Sequence, residues 1–419
     1  MTTNRNNYFS AVLPNGIRLL HRQQKSAIAH VALMVNTGSR DESAHENGLA
    51  HLVEHMIFKG TEHRRAYHVL SYLENVGGDM NAFTTKEETC IHASFLATHY
   101  KRCFDLFSDI AFHSSFPTNE LEKEKEVVLD EINSYHDTPS EEIFDDFENL
   151  LFRGHALGRN ILGTEDGIKK LSRKDLFRFV KNNYATDQMV LASIGDLTNK
   201  QFLKYAQNYF GGFERHASQS IRKPFECQAA TTELVDKNSH LSHCIIGNVA
   251  FEYAHPQKLP LILLNNILGG PGMNSRLNLN IREKHGFAYS IESQYTAYSD
   301  TGTFAVYVGT DPESLQKVQK MIVKEMDKLR GQKLGTLQLF HAKQQLIGQL
   351  ALSYESGLNE LLSVTRAHLL NGRINTMLEI VEKINRLTAE QLQDVAAIIF
   401  NKNHLSTLIF NGNSEEKND

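Results

Sequence analysis

The sequence predicts an α+β protein made of two related halves, and three observations carry that prediction. The first is length. A chain of 419 residues exceeds what one hydrophobic core organises, so two to three domains are expected. The second is the succession of short β-type runs and longer helix-type runs along the chain. The third is a repeat. Leu171-Ser172-Arg173-Lys174-Asp175-Leu176 opens a helix ending near Tyr184, and a strand over 189–194 follows, closed by Gly195-Asp196. Leu387-Thr388-Ala389-Glu390-Gln391-Leu392 opens a helix ending near Asn401, and a strand over 407–410 follows, closed by Asn411-Gly412. Both helices begin on a Ser/Thr cap with an acid or amide three residues on, the capping-box pattern. The offset is about half the chain, so each half closes with the same helix-strand unit. The expected division is 1–215 and 216–419. A linker is expected around 213–225, where Ser, His, Lys and Arg interrupt the apolar pattern.

Composition narrows the classes of function. Net charge is −5, and no basic run or basic amphipathic helix points to nucleic acid or to a membrane surface. No apolar run approaches the ~20 residues of a membrane span. The first residues, Met1-Thr2-Thr3-Asn4-Arg5-Asn6-Asn7, hold no apolar signal core. The expected compartment is the cytoplasm, or the periplasm where a leader has been removed. Cys90, Cys103, Cys227 and Cys244 have no paired spacing and read as reduced, mostly buried thiols.

Taken in order, Phe9 to His21 alternates and turns at Pro14-Asn15-Gly16, a hairpin pattern. His30 to Asn36 is a buried strand. Arg64 to Val76 is a helix that Gly77-Gly78 closes. Asn81-Ala82-Phe83-Thr84-Thr85 leads into a strand over 89–95, and Lys101 to His113 is helical. Pro117-Thr118-Asn119 opens a long helix running to about Tyr135, with Asn119 and Glu122 at capping-box spacing. In the second half an apolar helix over 259–268 ends in Gly269-Gly270-Pro271-Gly272, and strands over 290–298 and 303–309 follow.

The chemistry concentrates at Gly48-Leu49-Ala50-His51-Leu52-Val53-Glu54-His55-Met56-Ile57-Phe58. The apolar surround without Pro reads as a helix packed on a sheet. His51 and His55 are four apart and so share a face, a spacing that lets two imidazoles bind one Zn²⁺. Glu54 lies where a carboxylate outside the ligand set reaches a water as its base. This is the H-x-x-E-H order of the inverted zincins. Chance is the plain alternative in a chain with 20 His. A third ligand is expected from the acid-rich helix after Pro117. There Glu124 and Glu131 are two turns apart on nearly one face, although most of its acids read as a solvated surface. The second half has no such motif.

These residues resemble the pitrilysin, or insulinase and processing-peptidase, family of inverted-zincin metallopeptidases. The resemblance spans essentially the whole chain. It is carried by Gly48 to Met56 with Phe58-Lys59-Gly60-Thr61, and by Gly77-Gly78, Asn81-Ala82-Phe83-Thr84, Glu87 and Thr89. It implies two homologous α/β-sandwich domains, each a mostly antiparallel sheet with helices packed on it, the second lacking metal. It implies one zinc ion per chain on His51, His55 and Glu131, with Glu54 as base and Glu124 as a partner behind the ligands. Arg282 and Tyr289 match the arginine and tyrosine that bind substrate and stabilise the tetrahedral intermediate. Asn81-Ala82-Phe83 marks the sheet edge where an extended peptide adds as a strand. Glu141 and Asp145 match acidic positions that hold a basic substrate side chain. The Gly269–Gly272 loop is similar to the glycine-rich loop of a processing-peptidase subunit, and reads equally as a helix end and turn. The implied activity is an endopeptidase acting on oligopeptides or unfolded segments, in a closed chamber made by homodimerisation. The alternatives are a heterodimer with an inactive partner and a non-catalytic subunit.

Overall fold

A computed structural model describes residues 2–3, 8–218, 221–226 and 228–413. Cys227 and the 414–419 tail, expected to fray, lie outside the described residues. Along the chain come β1 (Thr2–Thr3), β2 (Phe9–Val12), β3 (Arg18–Gln23), β4 (Ile28–Val35), α1 (Leu49–Met56), α2 (Ala66–Glu74), β5 (Asp79–Thr84), β6 (Thr89–Leu96), α3 (Tyr100–Phe112), α4 (Thr118–His136), α5 (Pro139–Leu151), α6 (Glu165–Lys170), α7 (Arg173–Asn183), β7 (Met189–Gly195) and α8 (Asn199–Phe210). Then follow β8 (Thr232–Asp236), β9 (Ser242–Ala250), α9 (Lys258–Gly269), β10 (Ser290–Ala297), β11 (Gly302–Thr310), α10 (Leu315–Gly331), α11 (Thr336–Tyr354), α12 (Gly357–Asn371), α13 (Met377–Arg386), α14 (Ala389–Ile399) and β12 (Ser406–Asn411).

Two compact units result. Residues 1–132, 159–223 and 352–376 form one; residues 133–158, 224–351 and 377–419 form the other. Relative to a single cut after 215, residues 133–158 pack with the second half and residues 352–376 with the first. The first unit holds a seven-stranded sheet in the order β1-β2-β3-β7-β4-β6-β5, and the second a five-stranded sheet in the order β10-β11-β9-β12-β8. All pairs are antiparallel except β3 with β7 and β8 with β12.

The central strands of each sheet have helices on both faces, which is why they read as continuous apolar runs rather than alternating ones. In β4, Ala29, Val31, Leu33 and Val35 face the core under α1, α2, α3, α7 and α8. Ala32 and Met34 face the other way, onto Leu361 and Val364 of α12. In the second unit Cys244 and Ile246 of β9 face the core built with α9, α10 and α14. Ile245 between them meets Ile143 and Phe147 of α5. The back face of each sheet is thus covered by a helix from the opposite half of the sequence.

Local signals account for most boundaries. The β2–β3 turn carries Gly16 at φ +100°, and Ser172–Asp175 and Thr388–Gln391 form the expected capping boxes of α7 and α14. One expectation fails. The helix after Pro117 already begins at Thr118, so Asn119 lies inside its first turn and caps nothing; its amide meets the neighbouring Glu120 carboxylate. The expected linker is also more than a spacer. Arg222 is held by Asp41, by the Asn36 side chain and by the Glu87 carbonyl, and Arg40 donates to the Lys223 carbonyl.

Phe104 of α3 is fully buried, with its ring 5.9 Å from Phe202 and 6.0 Å from Phe210 of α8. Phe104→Ala is expected to cost about 3–5 kcal/mol of unfolding free energy, read from urea midpoints at unchanged m-value.

Candidate metal centre

Helix α1 has eight residues, fewer than hold a helix in water unaided. Its start is fixed from outside. Gly48, the N-cap, sits at φ +93°. A Cβ there would meet the Leu162 carbonyl oxygen at 2.7 Å. The buried Glu42 carboxylate accepts from the Gly48 and Ala50 N–H groups at 3.1 and 2.7 Å and from the Asn47 amide at 3.2 Å. These bonds satisfy donors that have no partner within the helix. Leu49, Leu52, Val53 and Met56 bury the apolar face completely, which turns His51, Glu54 and His55 towards α4 and β5.

The rings of His51 and His55 lie 4.6 Å apart at 69°. Glu131 Oε2 of α4 lies 3.7 Å from Nε2 of each. Those separations exceed a hydrogen bond and suit one cation at the ~2.0–2.2 Å of Zn–N and Zn–O bonds. Among the described residues His51, His55 and Glu131 are the group of three whose ligand atoms lie within 4.8 Å of one another. Two imidazoles and one carboxylate are the donor set of a zinc site with a position left open. Burial, with His55 second, lowers the His51 pKa to about 4, so its imidazole is neutral and its lone pairs are available.

The two histidines are supported differently. His55 Nδ1 meets the buried Glu124 carboxylate at 3.1 Å, and Lys59 Nζ lies 2.7 Å from the other oxygen. This pairing fixes a tautomer with the Nδ1 proton towards Glu124 and the Nε2 lone pair towards Glu131. His51 Nδ1 is buried without a hydrogen-bond partner, so only packing holds that ring. Burial raises the Glu54 carboxyl above its ordinary value; Thr84 and His55 draw it back, and Glu131 adds to the rise. Glu54 thus sits beside the cluster with a strengthened basicity and no place in the donor set.

Glu124 and Glu131 therefore face α1 from one side of α4, as the two-turn spacing suggests. Asn81, Ala82 and Phe83 lie on β5, the outermost strand of its sheet, and α1 packs against that strand. The remaining candidates belong to the second unit. Arg282 lies on a π-helical turn, Asn278–Glu283, a distortion common at functional sites. Tyr289 is 63 % exposed just before β10. Glu141 and Asp145 lie on α5. Burial, Asp145 and then Glu141 raise the Tyr135 hydroxyl well above its ordinary range, a mark of concentrated negative charge. Sequence reasoning missed Glu42, Lys59 and Thr84. Lys59 and Thr84 stand in the blocks that carry the resemblance, but the role of each of the three comes from a contact set by the fold rather than by spacing.

By its fold and its His51-to-His55 signature the chain is of the inverted-zincin class. Residues 18–165 match the family described as insulinase (peptidase family M16), and residues 170–346 match the peptidase M16 inactive domain. The chain belongs to peptidase family M16. It is 33 % identical to the "uncharacterized zinc protease YmxG" of Bacillus subtilis, over 94 % of this chain and 96 % of that one. It is 29 % identical to the probable mitochondrial-processing peptidase subunit beta of Schizosaccharomyces pombe, over 93 % and 88 %. A protease from Helicobacter pylori has the same fold at a TM-score of 0.90 and 21 % identity, covering 97 % of this chain and 99 % of that one. Among the described residues no helix is long and apolar enough to cross a membrane.

Two outcomes test the site. Glu124→Gln should weaken zinc binding by about 10–100-fold in a competition titration with a chromophoric chelator, leaving the melting curve of the metal-free chain unchanged. Glu42 supplies a pH test. Burial pushes its carboxyl up to about 8 against the pull of its hydrogen bonds. The folded chain thus favours the protonated form, so this group's stabilisation is complete below its ordinary value of 4.5 and lost as pH rises through about 8. Melting temperatures should fall across that window, and Glu42→Gln should flatten the fall.

Proposed function

We propose that the chain is a zinc-dependent endopeptidase of oligopeptides and unfolded segments. The observation that carries this reading is the meeting of His51 Nε2 and His55 Nε2 of α1 with Glu131 Oε2 of α4, with Glu54 beside them and outside the donor set. His51, His55 and Glu131 would hold the ion. When bound, zinc supplies a Lewis acid that acidifies water and polarises a peptide carbonyl. Glu54 takes the proton of the attacking water and delivers it to the leaving amine nitrogen. Glu124, with Lys59, keeps His55 in the tautomer that presents Nε2.

An extended peptide adds along the outer edge of β5 at Asn81-Ala82-Phe83, where main-chain groups pair with main-chain groups and sequence matters little. Arg282 and Tyr289 are assigned to the substrate backbone and to the oxyanion, and Glu141 and Asp145 to a basic substrate side chain. The resemblance of their motifs supports these roles. A chain of this length is proposed to close its chamber by pairing with a second copy. A partner-dependent subunit is the second reading, favoured by relatives named as mitochondrial-processing peptidase subunits.

The deciding experiment is hydrolysis of a mixed-sequence quenched peptide by wild type and Glu54→Gln, each with its zinc content determined. Wild type is expected to cut. Glu54→Gln is expected to keep its zinc and to lose at least about 10²–10⁴-fold in rate. Zinc in both proteins with no cleavage by either overturns the stand-alone peptidase in favour of the partner-dependent subunit.

A further inference from the structure

We propose that the second unit carries a docking groove for an acidic amphipathic helix of a partner protein, between α10 and the outer strands β12 and β8. The argument begins with the shared plan of the two sheets. The order β3-β7-β4-β6-β5 in one matches β8-β12-β9-β11-β10 in the other, each with its one parallel pair at the same place. Register carries the match to single residues. The pairs Leu19–Leu191 and His21–Ser193 on β3 and β7 correspond to Thr232–Thr407 and Leu234–Ile409 on β8 and β12.

In the first unit all four of these residues are 0 % exposed. They lie under α8, whose Phe202 stacks on His21 at 4.7 Å and whose Phe210 packs on Phe104. In the second unit Leu234 is 60 % exposed. Among the described residues no helix follows β12 and no strand pairs with the outer edge of β8. A cavity of about 750 Å³ opens there, floored by Ile246, Ile409 and Thr407 and walled by Val323 and Leu405. The equivalent groove in the same molecule is thus filled by a helix with apolar residues at i, i+4 and i+8, namely Phe202, Ala206 and Phe210.

Charge specifies the occupant further. Counted from the 3-10 turns that precede α3 and α10, at 97–99 and 312–314, Asp105 and Asp109 correspond to Lys320 and Lys324. The rim of the second groove carries Lys320, Lys324 and Lys402, with Asp327 as its acid beside Lys402. In the first unit Asp105 and Asp109 are held by Arg64, whereas Lys320 and Lys324 line the open groove, so a helix seated there meets cations. Opposite charge steers and selects such a partner more than it binds it.

The test uses two peptides of residues 198–211 of this chain, one unchanged and one with Lys200→Glu and Lys204→Glu, titrated by fluorescence anisotropy onto the full chain. The acidic peptide should bind about tenfold more tightly than the unchanged one, the difference that two exposed charge pairs supply. Lys320→Glu with Lys324→Glu should reverse that order, and Val323→Asp should abolish binding of both. A reversed preference is not produced by misfolding, and melting curves check Val323→Asp. Failure of either peptide to bind overturns the proposal, as does an order that ignores the charge reversal. Self-association that Val323→Asp abolishes, seen by sedimentation, overturns it in favour of a second copy on this face. None of these readings depends on peptidase activity, so the groove and the catalytic assignment stand or fall separately.

Discussion

The metal centre depends on a buried carboxylate at the start of an eight-residue helix. Glu42 accepts the N–H groups of Gly48 and Ala50, and without such a partner those donors would be buried and unsatisfied. Four fully buried apolar residues then fix the rotation of α1. Rotation is what matters for the site. Turned by one residue, about 100°, the helix would direct His51 and His55 into the sheet. The donor pair is therefore positioned by a cap and a packed face, not by the propensity of its own sequence.

From there each group acquires its role through its surroundings. His55 and His51 carry the same ring on the same helix, yet one is locked by Glu124 and Lys59 while the other has an unpartnered buried Nδ1. Glu124 and Glu131 are the same residue two turns apart. Glu124 is 6 % exposed and bound to a lysine and a histidine. Glu131 keeps an oxygen facing both Nε2 atoms. Glu54 is a third carboxylate, and burial keeps it more basic than a surface glutamate. Three identical side chains thus divide into support, donor and base.

The sequence made the chemistry legible where it depends on spacing along one element. The four-residue separation of His51 and His55 and the seven-residue separation of Glu124 and Glu131 are helical facts, and both survive folding. The repeat of α7–β7 in α14–β12 was legible because capping boxes are local. Contacts between distant segments were not. Nothing in the sequence near Glu42 reveals that it caps a helix several residues on. Nothing near Arg222 reveals that it reaches Asp41 and Glu87. Asn119 shows the opposite error, since a correct capping pattern was present but Pro117 had already set the helix start one residue earlier.

The exchange of back-face helices has a consequence for how the chain is made. The first sheet turns Ala32, Met34, Val190 and Ala192 towards Leu361, Val364 and Leu369, and those partners leave the ribosome more than 150 residues after β7. Until then, one side of the nascent sheet is an exposed apolar surface of the kind that chaperones hold. The arrangement ties completion of the metal-bearing unit to synthesis of most of the chain. A product truncated at the midpoint would hold the core beneath the histidine motif on a sheet whose other face is bare.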